Sequence, residues 1–520
     1  MAETSRVVKA AAVVGSATLA SRILGFIRDA VIAWFFGAGF SSDAFIAAFR
    51  IPNLLRRLFA EGSLSSAFVP VFTECVLKDG QTEAFNLARA AFRLLGCTLI
   101  IVTVFGILLS PWIVRLIAPG FSADKLSLTI RLTQVMFPYI FFIGLVALCM
   151  GILNVLGHFA APAFAPLILN SAIIGSVFFI SPALNPPVFG LAIGVLVGGI
   201  FQLLLQLPVL INKGVYFWQT AKIMHPGLKR VGVLIPPVIM GGAVYQINIL
   251  IGTMLGSLLT QGSVTYLYFA DRLVQFPLGV FAIATATAVL PSLSRQAATG
   301  DFDSFKDTFT QTLKLVFFIT IPAAVGLVLL REPIVALLFQ RGEFDVQATQ
   351  LTAQALLYYS MGLWAFSAVR VVVSTFFAMQ DTKTPLKLAV VSILANVVLG
   401  IVLMKPMAHG GLALATSLAS MINLFLLLGA LKKRMGALGW RNLAASIGRS
   451  ILCTLLMGGV VSGAAALILP KQYHSLPELI GGVAGCIAVG IGIYGAASYV
   501  LKSPELRCVL VEVGRGIGKK

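Results

Sequence analysis

Arginine interrupts the apolar runs of this chain at Arg22, Arg28, Arg50, Arg56, Arg57, Arg272 and Arg370, and lysine at Lys314. An arginine at the centre of a bilayer costs at least about 2.5 kcal/mol, so such residues belong in a bundle interior or a watery cavity. Stepping 100° per residue along a helix places Thr18, Ser21, Arg22, Gly25, Arg28 and Asp29 within an arc of about 120°. A second arc of about 80° carries Asp43, Arg50, Asn53, Arg57 and Glu61, with Pro52 set to kink the helix. A third, again of about 120°, carries Thr265, Tyr268, Asp271, Arg272, Gln275 and Gly279. Guanidinium is planar, permanently charged and able to grip two phosphate oxygens at once, so Arg22, Arg28, Arg56 or Arg57 and Arg272 suit a phosphate or pyrophosphate ligand. Ser21, Asn53 and Thr265 are counted with these arginines as binding candidates. Asp29, Asp43, Glu61 and Asp271, with Arg57 and Gln275, are read as orienting or gating groups. The structural alternatives are an Arg22/Asp29 pair at i, i+7, an Arg57/Glu61 pair at i, i+4, and snorkelling to an interface.

The elements that must hold these residues are transmembrane helices. The chain has 520 residues, 58% hydrophobic and 11% charged, with a mean hydropathy of +0.97. That is too much apolar surface for one aqueous core, and the expectation is an all-α polytopic membrane protein. Apolar runs of about 20 residues recur from Ala10 to Val500, about fourteen in all, each able to cross about 30 Å of hydrocarbon. The polar breaks are too short for a sizeable extramembrane catalytic domain. The net charge of +19 would suggest nucleic acid in a soluble protein, but here its location decides. Alternating the breaks puts most cations on one side, among them Lys213, Lys222, Lys229 and Arg230. The other side keeps Arg115, Lys125, Arg131, Arg331, Arg341, Lys405 and Lys471. The positive-inside rule then places both termini in the cytoplasm, which needs an even number of spans. No nucleic-acid partner is expected.

Other chemistries find little support. Cysteines 75, 97, 149, 453, 486 and 508 form no CxxC or Cys/His cluster, so no disulfide framework, metal or cofactor is expected. There is no GxxxxGK[ST] phosphate loop, so any uphill transport must draw on an ion gradient, the membrane potential or removal of the cargo. The first apolar stretch reads as a span rather than a cleaved signal peptide. His158, His225, His409 and His474 read as solvated turn residues. The segment REPIVALLFQRGEFD from 331 reads as a re-entrant turn or short helix. Lys432, Lys433 and Arg434, with the tail residues Arg515, Lys519 and Lys520, read as anchors to anionic membrane lipids.

The chain also repeats itself weakly. FAEGSLSSAFVP from 59 aligns with FAIATATAVLP from 281, and the segments from 132 and 351 keep a similar offset. Two pseudo-symmetric six-helix lobes, 1–216 and 217–437, are expected, followed by two extra helices over 438–501 and a basic tail over 502–520. Repeats of this kind are a common build for transporters, with the cargo site between the halves near the midplane.

SRILGFIRDAVIAWFFGAGFSSDAFIAAFRIPNLLRRLFAEGSLSSAFVPVF from 21 resembles the signature of the MurJ/MviN-type lipid II flippases, within the multidrug/oligosaccharidyl-lipid/polysaccharide exporter superfamily. YFADRLVQFPLGV from 268, LPSLSR from 290 and QDTKTP from 380 resemble later blocks, so the likeness spans nearly the whole chain. The resemblance implies a fourteen-helix fold and translocation of undecaprenyl-diphosphate-linked disaccharide peptide, lipid II, to the periplasmic leaflet of the bacterial inner membrane. It also implies that the last two helices form a groove for the lipid tail. Carried over by position, the family's essential cavity arginines match Arg22, Arg28, Arg56 and Arg272, and Asp43 matches an acid near the periplasmic mouth. Ideal-helix geometry favours Arg57 over Arg56 as the inward residue, whereas the motif favours Arg56. Gln275 departs from the family, where Glu is frequent. The seventh span, VLIPPVIMGGAVYQINILIG, lacks the acid some relatives use for sodium. A single copy of the chain is compatible with this reading. The rivals are a drug or cation exporter of the same superfamily, and a membrane-embedded glycosyl or acyl transferase; the transferase lacks paired acids, a His–Asp dyad or a metal cluster.

Overall fold

A chain this apolar must satisfy its backbone within each segment, because lipid offers no hydrogen-bond partners. The computed structural model describes residues 2–58, 64–219, 225–436, 439–469, 476–508 and 510, and no strand occurs among them. The α-helices are α1 (Ala2–Phe36), α2 (Phe40–Leu58), α3 (Leu64–Lys78), α4 (Gln81–Ile117), α5 (Ala123–Met136), α6 (Tyr139–Val155), α7 (Ala160–Phe179), α8 (Phe189–Asn212) and α9 (Pro226–Ser257). They continue as α10 (Ser263–Pro277), α11 (Ala284–Thr299), α12 (Phe302–Leu329), α13 (Arg331–Phe339), α14 (Val346–Met361), α15 (Leu363–Ala378), α16 (Lys383–Met435), α17 (Trp440–Ile468) and α18 (Leu476–Val500).

Among the described residues, nine helical segments are long and apolar enough to cross a membrane, or ten when α14 and α15, bent by 44°, count as one span. α16 is two helices joined at Ala408, whose φ of 48° and ψ of −131° leave the helical region. Taking α16 as two spans, and adding α1, the α2–α3 segment and α9, gives a number consistent with the fourteen expected from sequence. Lipid-facing surfaces are plain on α4, where Ile100, Ile101, Phe105, Leu108 and Trp112 are all exposed. This is a multi-pass membrane protein.

The chain forms two compact units, one of residues 1–265 with 341–344, the other of 266–340 with 345–520. In the first, α7 packs on α1 and α8, α6 on α3, α4 and α8, and α9 on α3 and α4. In the second, Leu293, Phe305, Phe309, Leu313, Val371 and Phe376 build a core from α11, α12 and α15. α17 and α18 pack on each other and on α12. A π-helical turn, Leu278–Ile283, joins α10 to α11.

Two histidines differ from the solvated turn residues expected. His409 is 3% exposed, sits 2.8 Å from the Leu351 carbonyl oxygen and packs against the Tyr266 ring. It follows the Ala408 break directly, and its neighbours Leu351 and Tyr266 come from α14 and α10. His225 caps α9: Nδ1 accepts from Gly227 N–H at 3.0 Å, which leaves Nε2 to donate to Glu83 at 3.1 Å.

QDTKTP forms the start of α16. Asp381 Oδ1 accepts from Thr384 N–H at 3.0 Å and Oδ2 from the Thr384 hydroxyl at 2.8 Å, with Arg434 at 2.5 Å. The backbone hydrogen bond from Thr384, helped by the hydroxyl and by Arg434, holds this carboxyl below its ordinary value. Its stabilisation is therefore full above the ordinary carboxylate range and is lost as pH falls through the depressed value. Asp381→Ala should cost about 1 kcal/mol, the usual worth of a helix-start cap. A lowered melting midpoint at neutral pH, with the difference from wild type shrinking on acidification, is the expected result.

Candidate functional site

The site residues of the first unit start from α1. Arg28 and Asp29 are 7% and 1% exposed. Arg28 Nε and Nη2 donate to Asp29 Oδ1 at 3.0 and 2.6 Å, and Nη1 donates to Asn170 Oδ1 of α7 at 3.0 Å. Asn170 Nδ2 in turn donates to the Ser21 carbonyl at 3.2 Å. Gly25 permits this approach, since a Cβ there would stand 3.7 Å from Asn170 Nδ2. The polar arc read from sequence thus divides. Ser21, Gly25 and Arg28 meet Asn170 of α7 and Asp29 is buried beside Arg28, whereas Thr18 and Arg22 are exposed. Asp29 is held by its neighbour Arg28, so the i, i+7 pairing with Arg22 does not form. A guanidinium fixed at three nitrogens presents its charge in one orientation, which is the preorganisation an oxyanion site requires.

On α2, Asp43 is 1% exposed and accepts four hydrogen bonds. The donors are Lys125 Nζ at 2.6 Å, Gly262 N–H at 2.8 Å, Thr265 N–H at 2.9 Å and the Thr265 hydroxyl at 2.7 Å. Gly262 and Thr265 flank the start of α10, so Asp43 caps that helix from another element and meets the positive end of its dipole. Lys125 also lies over the Phe121 ring at 4.4 Å. Thr265, expected among the binding residues, is fully buried and committed to Asp43. Further along α2, Arg56 Nε and Nη2 donate to Asn53 Oδ1 at 3.2 and 3.1 Å. Arg57 is half-buried, and its Nε has no partner among the described residues. Glu61 lies outside the described residues.

In the second unit, Arg272 Nε and Nη2 donate to the Tyr268 hydroxyl at 3.3 and 3.1 Å, and the guanidinium lies 5.2 Å from that ring's centroid. Gln275 donates to Asp271 Oδ2 one turn away. Asp271, Arg272 and Gln275 are all half-buried. Among the described residues no group of three or more His, Cys, Asp or Glu is arranged to hold a metal ion.

Sequence reasoning missed Lys125 and Asn170. Lys125 was sorted as a loop cation, and its partner is 82 residues away. Asn170 lies 142 residues from Arg28 in an apolar run, and a lone amide carries no spacing signal.

The profile of the family described as "Lipid II flippase MurJ" matches residues 32–480. A probable lipid II flippase MurJ of Vibrio cholerae is 40% identical over 433 residues, 82% of each chain. Another, of Rhizobium meliloti, is 35% identical over 98% of this chain and 96% of its own. Among solved structures, a lipid II flippase MurJ in an inward closed conformation matches with a TM-score of 0.77 at 27% identity, covering 94% of this chain and 98% of its own. An inward-facing multidrug resistance MATE family transporter shares the fold, with a TM-score of 0.67 at 18% identity, covering 80% of this chain and 95% of its own. A family profile matching residues 32–480, with relatives and a solved structure matched over 82% to 98% of their own lengths, makes this chain a member of the MurJ lipid II flippase family of membrane transporters.

Proposed function

We propose that this chain moves lipid II, the undecaprenyl-diphosphate-linked peptidoglycan precursor, from the cytoplasmic to the periplasmic leaflet of the inner membrane by alternating access. The observation that carries the reading is the buried, three-point-held Arg28 in a chain of this family. Such a guanidinium suits a diphosphate, which offers paired oxygens and two or more negative charges. Arg22, Arg56 and Arg272, with Ser21 and Asn53, complete the binding set. Arg57 and Glu61 help gate, Asp29 orients Arg28, and Asp271 and Gln275 orient Arg272. The capping of α10 by Asp43 closes the periplasmic side and must open for release. Alternating access fits a fold found in an inward-facing MATE transporter and, with a TM-score of 0.58, in an outward-facing one.

The lobes are 1–216 and 217–437, the lipid tail lies along the helices of 438–501, and the basic tail 502–520 meets anionic headgroups. Both termini are cytoplasmic. The test is leaflet accessibility of lipid II in cells depleted of their own flippase and complemented with this chain. Restored periplasmic lipid II is the expected result; failure at normal expression sinks the reading.

Asn170 belongs to this machinery as a positioning residue. A hydrogen bond to a charged group is worth about 1.5–3 kcal/mol, so Asn170→Leu should slow delivery roughly tenfold or more. Asn170→Asp, which keeps an acceptor for Arg28, should retain more activity than the leucine variant in the same assay. Equal rates for both variants would argue against positioning.

A further inference from the structure

α8 carries two glutamines that the flipping site does not use. Gln206 is fully buried, and neither its Oε1 nor its Nε2 has a hydrogen-bond partner among the described residues. Gln202, one turn earlier, is also buried. Its Nε2 donates to the Ala165 carbonyl of α7 at 2.8 Å, while its Oε1 has no partner among the described residues. Buried amide atoms rarely stay unpaired, because each gives up its hydration on folding. The register of α7 against α8 shows what lies opposite. A Cβ on Gly194 would stand 3.0 Å from Ile173 Cα, and one on Gly198 would stand 3.1 Å from Leu169 Cα. With Gln202 on Ala165, each step of four along α8 is a step of four back along α7. The next step brings Gln206 opposite Ala161 and Pro162, both buried.

That turn of α7 holds a further unpaired group. Pro166 lies inside the helix and has no N–H to give the Pro162 carbonyl four residues earlier. In spanning helices such freed carbonyls are satisfied by neighbouring side chains or by ordered water. α6, which also packs on α8, offers no oxygen- or nitrogen-bearing side chain between Tyr139 and Asn154. The chemistry of the missing partner follows from what surrounds it. α6, α7 and α8 contain no Asp, Glu, Lys or Arg, so an ion of either sign would find no counter-charge on them. The unpaired set includes a donor, Gln206 Nε2, for which a metal ion has no use. Full burial restricts the partner to something small. We propose that ordered water binds between α7 and α8, donating to Gln202 Oε1, Gln206 Oε1 and the Pro162 carbonyl and accepting from Gln206 Nε2. Three acceptors exceed the two O–H groups of one water, so the site takes more than one molecule. It forms a hydrated joint at the Pro166 break, one turn before Asn170. This inference does not depend on the flippase reading.

Footprinting of the full chain in detergent with X-ray-generated hydroxyl radicals tests it, because radicals formed from a bound water label the side chains beside it. Pro162 should be labelled although buried, whereas Leu191 and Val195 of α8, both 0% exposed, should not. Gln206→Met, which fills the space with an apolar chain, should lower Pro162 labelling to the level of Leu191. Gln206→Asn, which keeps donor and acceptor, should retain it. A crystal or cryo-electron-microscopy map fine enough to show other buried waters should place density within about 3.2 Å of the Gln206 amide. Wild-type Pro162 labelled no more than Leu191, or a map in which Gln206 bonds directly to protein atoms, overturns the proposal whether or not the variants fold. Labelling unchanged in Gln206→Met overturns the part assigned to Gln206. An anomalous signal at this position in crystals grown with rubidium makes it a cation site and overturns the water assignment.

Discussion

Arg28→Ala should reduce delivery of lipid II to the outer leaflet by at least about 100-fold, since a bidentate charged contact is worth about 3 kcal/mol and each 1.4 kcal/mol is tenfold. The difficulty is that the same change strips Asp29 of a partner 2.6 Å away in a site where both side chains are almost wholly buried. An uncompensated buried carboxylate costs about 3–5 kcal/mol, so a dead single variant could report a damaged fold. Arg28→Ala with Asp29→Asn separates the two effects. The neutral amide removes the stranded charge, and the double variant should regain the wild-type melting midpoint while transport stays lost. Arg28→Lys should recover only a fraction, because a point charge reaches Asp29 or the ligand but cannot fork between Asp29, Asn170 and a phosphate. Transport by the double variant at the wild-type rate would make Arg28 a structural residue and remove the central support for a diphosphate clamp.

What could be read in advance follows from the period of the helix. Apolar runs of membrane length announce spans, and a polar arc at 100° per residue announces an inward face, so the helical fold and the burial of Arg28, Asp29 and Asp43 were legible. The same arithmetic sees one helix at a time. It placed Thr18 and Arg22 with Arg28, yet only part of that stripe meets α7, because a helix of 35 residues touches different neighbours along its length. It could not see that Thr265 is consumed by Asp43, a contact across 222 positions. Nor could it choose between Arg56 and Arg57. The first is engaged by Asn53, one turn earlier on the same helix, and that local bond depends on rotamers rather than spacing. A histidine beside Gly410 and Gly411 looks like a solvated turn, whereas the ring is buried against Leu351 and Tyr266, more than 50 positions away.

Lys125→Met should destabilise the protein by about 3–5 kcal/mol, the cost of leaving a buried carboxylate without its counter-ion. Asp43 would keep three neutral donors from the start of α10, and these cannot replace a cation 2.6 Å away. Asp43→Asn should cost a similar amount for the opposite reason. Its amide NH2 would point at Lys125 and Gly262 N–H in place of Oδ2, or at the two Thr265 donors in place of Oδ1, and the ammonium would be buried without a counter-charge. Combining the two changes removes both stranded charges, so the double variant should lose less than the sum of the singles, by a coupling of up to about 3 kcal/mol in a thermal melt. Additive losses would mean that the pair is worth little. The functional consequence runs in parallel. In the proposed cycle, opening of the periplasmic side releases part of Asp43's contact with α10, and only the neutral donors at Gly262 and Thr265 can leave cheaply. On that cycle Lys125 stays with Asp43 throughout. Lys125→Arg, which preserves the charge, should therefore restore both stability and transport more fully than any neutral residue.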